Sequence, residues 1–102
     1  MLRDSFDECI EASDAVTPEI QSCIETEFEY QDTRLNKAYQ HLSMQSSADR
    51  KSEIESEQKQ WLSERDNQCE WDADIGGQAQ RLEANNCFLK MTAKRAAQLE
   101  AR

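Results

Sequence analysis

The sequence predicts an all-α fold: antiparallel helical hairpins forming a bundle of three to four helices, pinned by two disulfides. Three observations carry this. Two glycines and one proline in 102 residues are too few for the turns of a β-sandwich or barrel. Glu, Gln, Ala, Lys, Arg and Leu dominate, and all are good helix formers. Four cysteines stand as two pairs, each centred on a break between helical stretches.

The length fits one domain over residues 1–102, with no room for a second independent core. Only 37% of residues are apolar against 32% charged, and mean hydropathy is −0.94. A chain this polar stays disordered unless it is stapled, and the cysteines supply the staples.

The helices can be placed in order. Ser5 and Glu8 stand three apart as in a capping box, which starts a short first helix near Phe6 that runs to about Asp14. Thr17-Pro18-Glu19 starts the second, with Thr as N-cap, Pro at the first helical position and Glu favoured by the dipole. Ile20, Ile24, Phe28, Gln31, Leu35, Ala38 and Leu42 then mark one face as far as Met44. Ser47 or its neighbour caps a third helix with an inner stripe of Ile54, Gln58, Trp61, Leu62, Arg65 and Cys69. Gly76-Gly77 should end it, since glycine accepts the positive φ of a helix C-cap. The last helix carries Leu82, Phe88, Leu89, Thr92, Ala96 and Leu99.

Cys9 and Cys23 have their midpoint at Val16, and Cys69 and Cys87 have theirs at Gln78. Residues equidistant from the turn of an antiparallel helix pair face each other. Of the three possible pairings, this symmetry selects Cys9–Cys23 with Cys69–Cys87. Each closed loop of about 15–19 residues contributes on the order of 3 kcal/mol in the chain-entropy model. A zinc site would want tight C-x-x-C pairs, and the sequence has none, so no metal or cofactor is expected. Four buried free thiols in a cytosolic protein would leave the symmetry a coincidence. Disulfides imply an oxidising compartment, hence a periplasmic or secreted protein. The chain shows no apolar leader after Met1-Leu2-Arg3-Asp4, so an export signal would already have been removed. No apolar run approaches the ~18 residues of a transmembrane helix.

A net charge of −9 repels nucleic-acid phosphates and anionic headgroups, which disfavours both as partners, so no nucleic acid is expected, and it favours encounter with a basic protein. The same charge also simply maintains solubility. Catalysis is not expected. No carboxylate pair stands out for acid–base work, and His41 should face water near a helix end. Phosphate loops, G-x-S-x-G and H-E-x-x-H are all missing. Two stretches have an unusual mixture of residues. Trp61, Arg65 and Cys69 share a helix face, with Trp61 read as mostly buried core and Arg65 as an internal clamp needing a carboxylate or carbonyls from another helix. Asn36 and Tyr39 are surface neighbours, read as a packing pair hydrogen-bonded to the adjacent helix.

These residues together resemble the LprI-like lysozyme inhibitor domain family of secreted bacterial proteins. The resemblance rests on Cys9, Cys23, Leu35-Asn36-x-x-Tyr39, Gln60-Trp61-Leu62, Arg65-Asp66-x-x-Cys69, Gly76-Gly77, Cys87 and Thr92-x-x-Arg95, and it spans Cys9 to Leu99. Members often carry an aromatic residue where this chain has Glu64, so one aromatic contact is missing here. The resemblance implies an exported helical domain with disulfides, and lysozyme inhibition as its activity. No lipobox cysteine is visible.

Two functions of different classes follow. One is a non-enzymatic inhibitor or binding protein for a basic glycosidase such as a c-type lysozyme, steered by charge, with a polar side chain entering the cleft. Asp72 and Asp74, in the loop Asp72-Ala73-Asp74-Ile75, are the first candidates to insert. The alternative is a structural or assembly module of the cell envelope with no enzyme target. An inhibitor needs a protruding polar loop; an assembly module needs an exposed apolar patch.

Overall fold

The computed structural model describes residues 2–72, 74 and 76–102, and four helices follow in order: α1 (Asp4–Ala12), α2 (Thr17–Met44), α3 (Ala48–Gln68) and α4 (Gln78–Glu100). Among the described residues there is no strand.

α1 begins two residues earlier than a Ser5–Glu8 capping box requires. Its N-cap is Arg3, in extended conformation and without a side-chain cap, while Ser5 and Glu8 are exposed within the helix. A tertiary contact sets this start. Arg3 Nε meets Glu27 Oε1 of α2 at 2.7 Å, and its guanidinium lies 3.8 Å from the Tyr30 ring centroid. The helix ends at Ala12, two residues short of Asp14, where buried Ser13 donates its hydroxyl to the Ile10 carbonyl at 2.6 Å. Asp14 and Ala15 both take left-handed φ, 52° and 63°, which reverses the chain in two residues. For Ala15 that conformation costs about 1–2 kcal/mol, offset by the covalent closure of the hairpin around it.

α2 is capped by Val16, not Thr17: Thr17 and Pro18 already lie inside the first turn, and no side chain caps it. Proline is tolerated there because N–H groups in the first turn lack helical partners anyway. Ser47 is the N-cap of α3, its hydroxyl accepting from Arg50 N at 3.2 Å.

The largest correction concerns the end of α3. It stops at Gln68, with Cys69 as C-cap, and residues 69–77 connect it to α4. Gly76-Gly77 therefore does not terminate α3. Neither glycine has positive φ, and Gly77 is the extended N-cap of α4. Gly76 is needed for a different reason. A Cβ there would stand 2.6 Å from the Asp72 carbonyl oxygen and 2.7 Å from Trp71 Nε1, so only glycine fits against the folded-back loop.

The cysteines pair as Cys9–Cys23 and Cys69–Cys87, with Cα separations of 5.8 and 5.5 Å. Successive helices are antiparallel. Arg3–Glu27 and Cys9–Cys23 run α1 against α2, and Cys69–Cys87, Arg65–Thr92 and Arg95–Gln58 run α3 against α4. Two reversals make α2 and α4 parallel, and they share the most extensive interface in the molecule. At its far end Leu35 packs with Ala96 and Leu99, covered by Ala38, Tyr39, Leu42 and Trp61. Buried Ala84, Ala93 and Ala96 on α4 let the α2 backbone approach closely. Ile54 of α3 and Leu89 of α4 are completely buried, each contributing roughly 1.5–3 kcal/mol. The Cα extents of 48 × 32 × 14 Å describe a slab about two helices thick.

α3 presents its predicted inner stripe with one exception. Ile54 and Cys69 are buried and Trp61 and Arg65 partly so, but Leu62 is 37% exposed. At 100° per residue Leu62 lies off the line through 54, 58, 61, 65 and 69, so only Trp61 of the adjacent pair faces inward.

Candidate functional site

Parallel α2 and α4 bring both helix N-termini, and therefore both disulfide-closed connections, to one end of the slab. Thr17, Pro18 and Gln21 meet Gln78, Arg81 and Leu82 there. The α3–α4 connection is anchored at its base by Cys69–Cys87, with Cys69 buried, while Glu70, Trp71, Asp72 and Asp74 are all exposed. Ala73 and Ile75, the other residues of the anticipated binding loop, lie outside the described residues.

Internal hydrogen bonds shape this loop. Asp72 Oδ1 accepts from Asp74 N at 2.9 Å, a turn made by the aspartate side chain itself. The Asp72 carbonyl accepts from Gly76 N at 2.7 Å. One carboxylate oxygen of Asp72 is thus engaged in local structure, and Asp74 has no ion-pair partner among the described residues. Beside the loop a groove of about 650 Å³ runs between α2 and α4, with Ile24, Phe28, Phe88 and Trp71 among the residues lining it. Sequence reasoning missed Trp71. Its signal was an aromatic side chain set among Glu70, Asp72 and Asp74.

Only part of the motif belongs to the packing of the bundle. Leu35 is core, and Tyr39 lies against it. Asn36 is exposed, and neither Asn36 nor Tyr39 hydrogen-bonds across to a neighbouring helix among the described residues, contrary to expectation. Gln60 and Asp66 are exposed. Trp61 is half-buried, less than expected, because it covers the edge of the core and does not fill its centre. Arg65 is clamped differently from the expected interhelical carboxylate. Its guanidinium lies 5.2 Å from the Trp61 ring centroid and 5.1 Å from that of Phe88, and it donates to Thr92 Oγ1 on α4 at 3.3 Å. Asp66, the nearest carboxylate at 3.5 Å, comes from the same helix. Arg95 is 7% exposed, donates to Gln58 Oε1 at 3.1 Å, and is held below the usual arginine range chiefly by burial. Glu27 was missed. It is 1% exposed, one turn after Cys23 on the side of α2 that meets Cys9 and Arg3, and the spacing from Cys23 was the available signal.

Ion pairs hold the opposite end. Arg34 forks onto Glu100, and Arg102 forks onto Glu57 at 2.7 and 3.3 Å. Those hydrogen bonds hold the Glu100 and Glu57 carboxyls below the ordinary glutamate range. His41 is exposed. Among the described residues no group of three or more His, Cys, Asp or Glu is placed to hold a metal ion, and no helix is long and apolar enough to cross a membrane.

Residues 9–99 match the family described as lysozyme inhibitor LprI, and the chain belongs to that family. No curated protein and no solved structure gives a significant match.

Proposed function

We propose that this member of the lysozyme inhibitor LprI family is a non-catalytic, exported inhibitor that binds a basic lysozyme, a c-type enzyme first, through its disulfide-braced end. The observation that carries the reading is the α3–α4 connection, where Glu70, Trp71, Asp72 and Asp74 are exposed. It presents Asp72 and Asp74 on a base closed by Cys69–Cys87, and its backbone is pre-shaped by the Asp72–Asp74 turn. Binding through a rigid loop loses little ordering entropy, which is how a protein of 102 residues reaches useful affinity on a small contact area. The −9 charge adds electrostatic steering toward a cationic target.

Inhibition of cell-wall hydrolysis at stoichiometric concentrations tests this. A specific inhibitor keeps most of its effect near 0.15 M salt, where the Debye length is about 8 Å and long-range attraction is screened. It leaves an equally basic protein of unrelated fold unbound. Loss of inhibition at that salt, or equal binding to any cation, would remove the assignment.

The envelope-module reading has one specific observation on its side. The apolar groove lined by Ile24, Phe28, Trp71 and Phe88 is a surface of the kind such a module would use. That reading predicts retention of an envelope protein with no effect on any lysozyme.

A further inference from the structure

The charge of this protein is divided between its two ends. Residues 1–30 and 65–88, which build the disulfide end, hold fourteen Asp and Glu against three Arg, a net of −11. The remaining segments hold seven acidic and nine basic side chains, a net of +2, and the two together make the −9 of the chain. Of the three arginines at the acidic end, Arg3 is paired with Glu27 and Arg65 is stacked between aromatic rings, which leaves Arg81 as the one unpaired cation there among the described residues. The groove between α2 and α4 opens on this end. Its floor is Ile24, Phe28 and Phe88, its loop wall is Trp71 at 39% exposure, its α2 rim carries Glu25 and Glu29, and Arg81 stands on its α4 side as a single cation against those two carboxylates. Those two glutamates are one turn apart, about 6 Å along the axis, exposed, and without an ion pair among the described residues.

We infer that the α2–α4 groove is the anchor site for a cationic protein partner, taking an apolar side chain of the partner against Trp71, Phe28 and Phe88 while Glu25 and Glu29 receive flanking Lys or Arg. Two independent features select this occupant. The apolar floor rewards burial of an aromatic or aliphatic side chain removed from water. The surrounding field at net −11 repels a nucleic acid, an anionic bilayer, or the same face of a second copy of this chain, and it attracts a basic surface. The inference deepens the inhibitor reading and rests on it for the identity of the partner. It moves the centre of the contact from the loop carboxylates to the groove behind them. The loop then acts chiefly by presenting Trp71.

The test uses the whole oxidised protein, isotopically labelled for amide chemical shifts, with two probes: a c-type lysozyme, and a synthetic lysine-rich peptide carrying one tryptophan. Three variants are compared: Trp71→Ala, Glu25→Gln with Glu29→Gln, and a control pair on α3, Glu53→Gln with Glu55→Gln. With lysozyme, the largest shifts are expected at Gln21, Ile24, Phe28 and Asn85. Trp71→Ala should weaken binding by about 30-fold or more, as for a central aromatic anchor. The rim pair should weaken it about tenfold and flatten its salt dependence, and the control should change it less than about twofold. If lysozyme is inhibited but the Trp71 and rim variants bind like the wild type, the groove is overturned and the inhibitor reading stands. If lysozyme is ignored while the peptide maps to the groove and is lost in the Trp71 variant, the groove stands and the lysozyme reading falls. If neither probe binds, both fall.

Discussion

Removing the two disulfides separately measures how far loop closure holds this fold. The bridges span sequence separations of 14 and 18, closing loops of roughly 15 and 19 residues. In the chain-entropy account each closure removes about 10–11 cal/mol/K from the unfolded chain, or about 3 kcal/mol at 25 °C, and the two differ by only about 0.2 kcal/mol. Burial then separates them. Each bridge has one buried cysteine, Cys23 at 4% and Cys69 at 2%, but Cys87 is half-buried where Cys9 is exposed, so replacing Cys69 and Cys87 by Ala empties slightly more packed volume and should cost up to about 1 kcal/mol more. Unfolding entropy near 2.1 cal/mol/K per residue gives about 0.2 kcal/mol/K for 102 residues, so 3 kcal/mol corresponds to a fall in Tm of about 14 °C. The assay is thermal unfolding by circular dichroism at 222 nm, with Cys9→Ala/Cys23→Ala and Cys69→Ala/Cys87→Ala measured beside the wild type. Both should melt lower, the second by the larger amount. A fall below about 5 °C in either variant refutes the argument that closure of these loops stabilises the ends. Inhibition should follow the second bridge and not the first, since only Cys69–Cys87 anchors Trp71.

Three further outcomes are expected. Glu27→Gln breaks a pair whose carboxylate is 1% exposed, but Arg3 is 39% exposed and can rehydrate, so the cost in urea unfolding should be about 1–2 kcal/mol, below that of a fully buried pair. Gly76→Ala places a methyl group 2.6 Å from a backbone carbonyl, so the loop must shift; the readout is altered Trp71 fluorescence and weaker lysozyme binding, with Tm falling less than for loss of a disulfide. Glu57 and Glu100 have carboxyls lowered in the folded state by hydrogen bonds from Arg102 and Arg34, so their contribution is present above the unfolded glutamate range and is lost as pH falls through the lowered folded values. The stability gap between wild type and Glu57→Gln/Glu100→Gln should therefore be widest near pH 6 and should narrow below about pH 4; a gap independent of pH would mean that these pairs contribute nothing through ionisation.

Much of this architecture was legible in residue order. The 3.6-residue spacing of Ile24, Gln31 and Leu35 placed the inner face of α2, and the symmetry of Cys9 and Cys23 about Val16 located a helix turn with no glycine in it. What escaped was tertiary. α3 stops at Gln68 because Cys69 is tied to Cys87 and Asp72 folds the following loop on itself, and neither constraint has a local breaker such as Gly or Pro to announce it. Arg3 displaced the expected start of α1 by reaching a glutamate 24 residues away. The groove and the charge division depend on α2 and α4 being parallel, a property of two successive reversals that no single segment encodes.

One consequence lies in how the molecule opens. Both covalent ties sit at the end where α2 and α4 begin, while the other end has no covalent tie: beyond the Leu35–Ala96–Leu99 cluster it is closed by the Gln45–Ser47 turn and by surface forks such as Arg34–Glu100. Exposed ion pairs contribute a few tenths to about 1 kcal/mol, far less than a loop closure. Spontaneous breathing therefore starts at the untied end and works toward the tied one. Hydrogen exchange along α2 should be fastest in the turns between Leu35 and Met44, with the acidic end still in register while the far turns come apart. The surface that meets a partner is thus the part of the fold that lets go last.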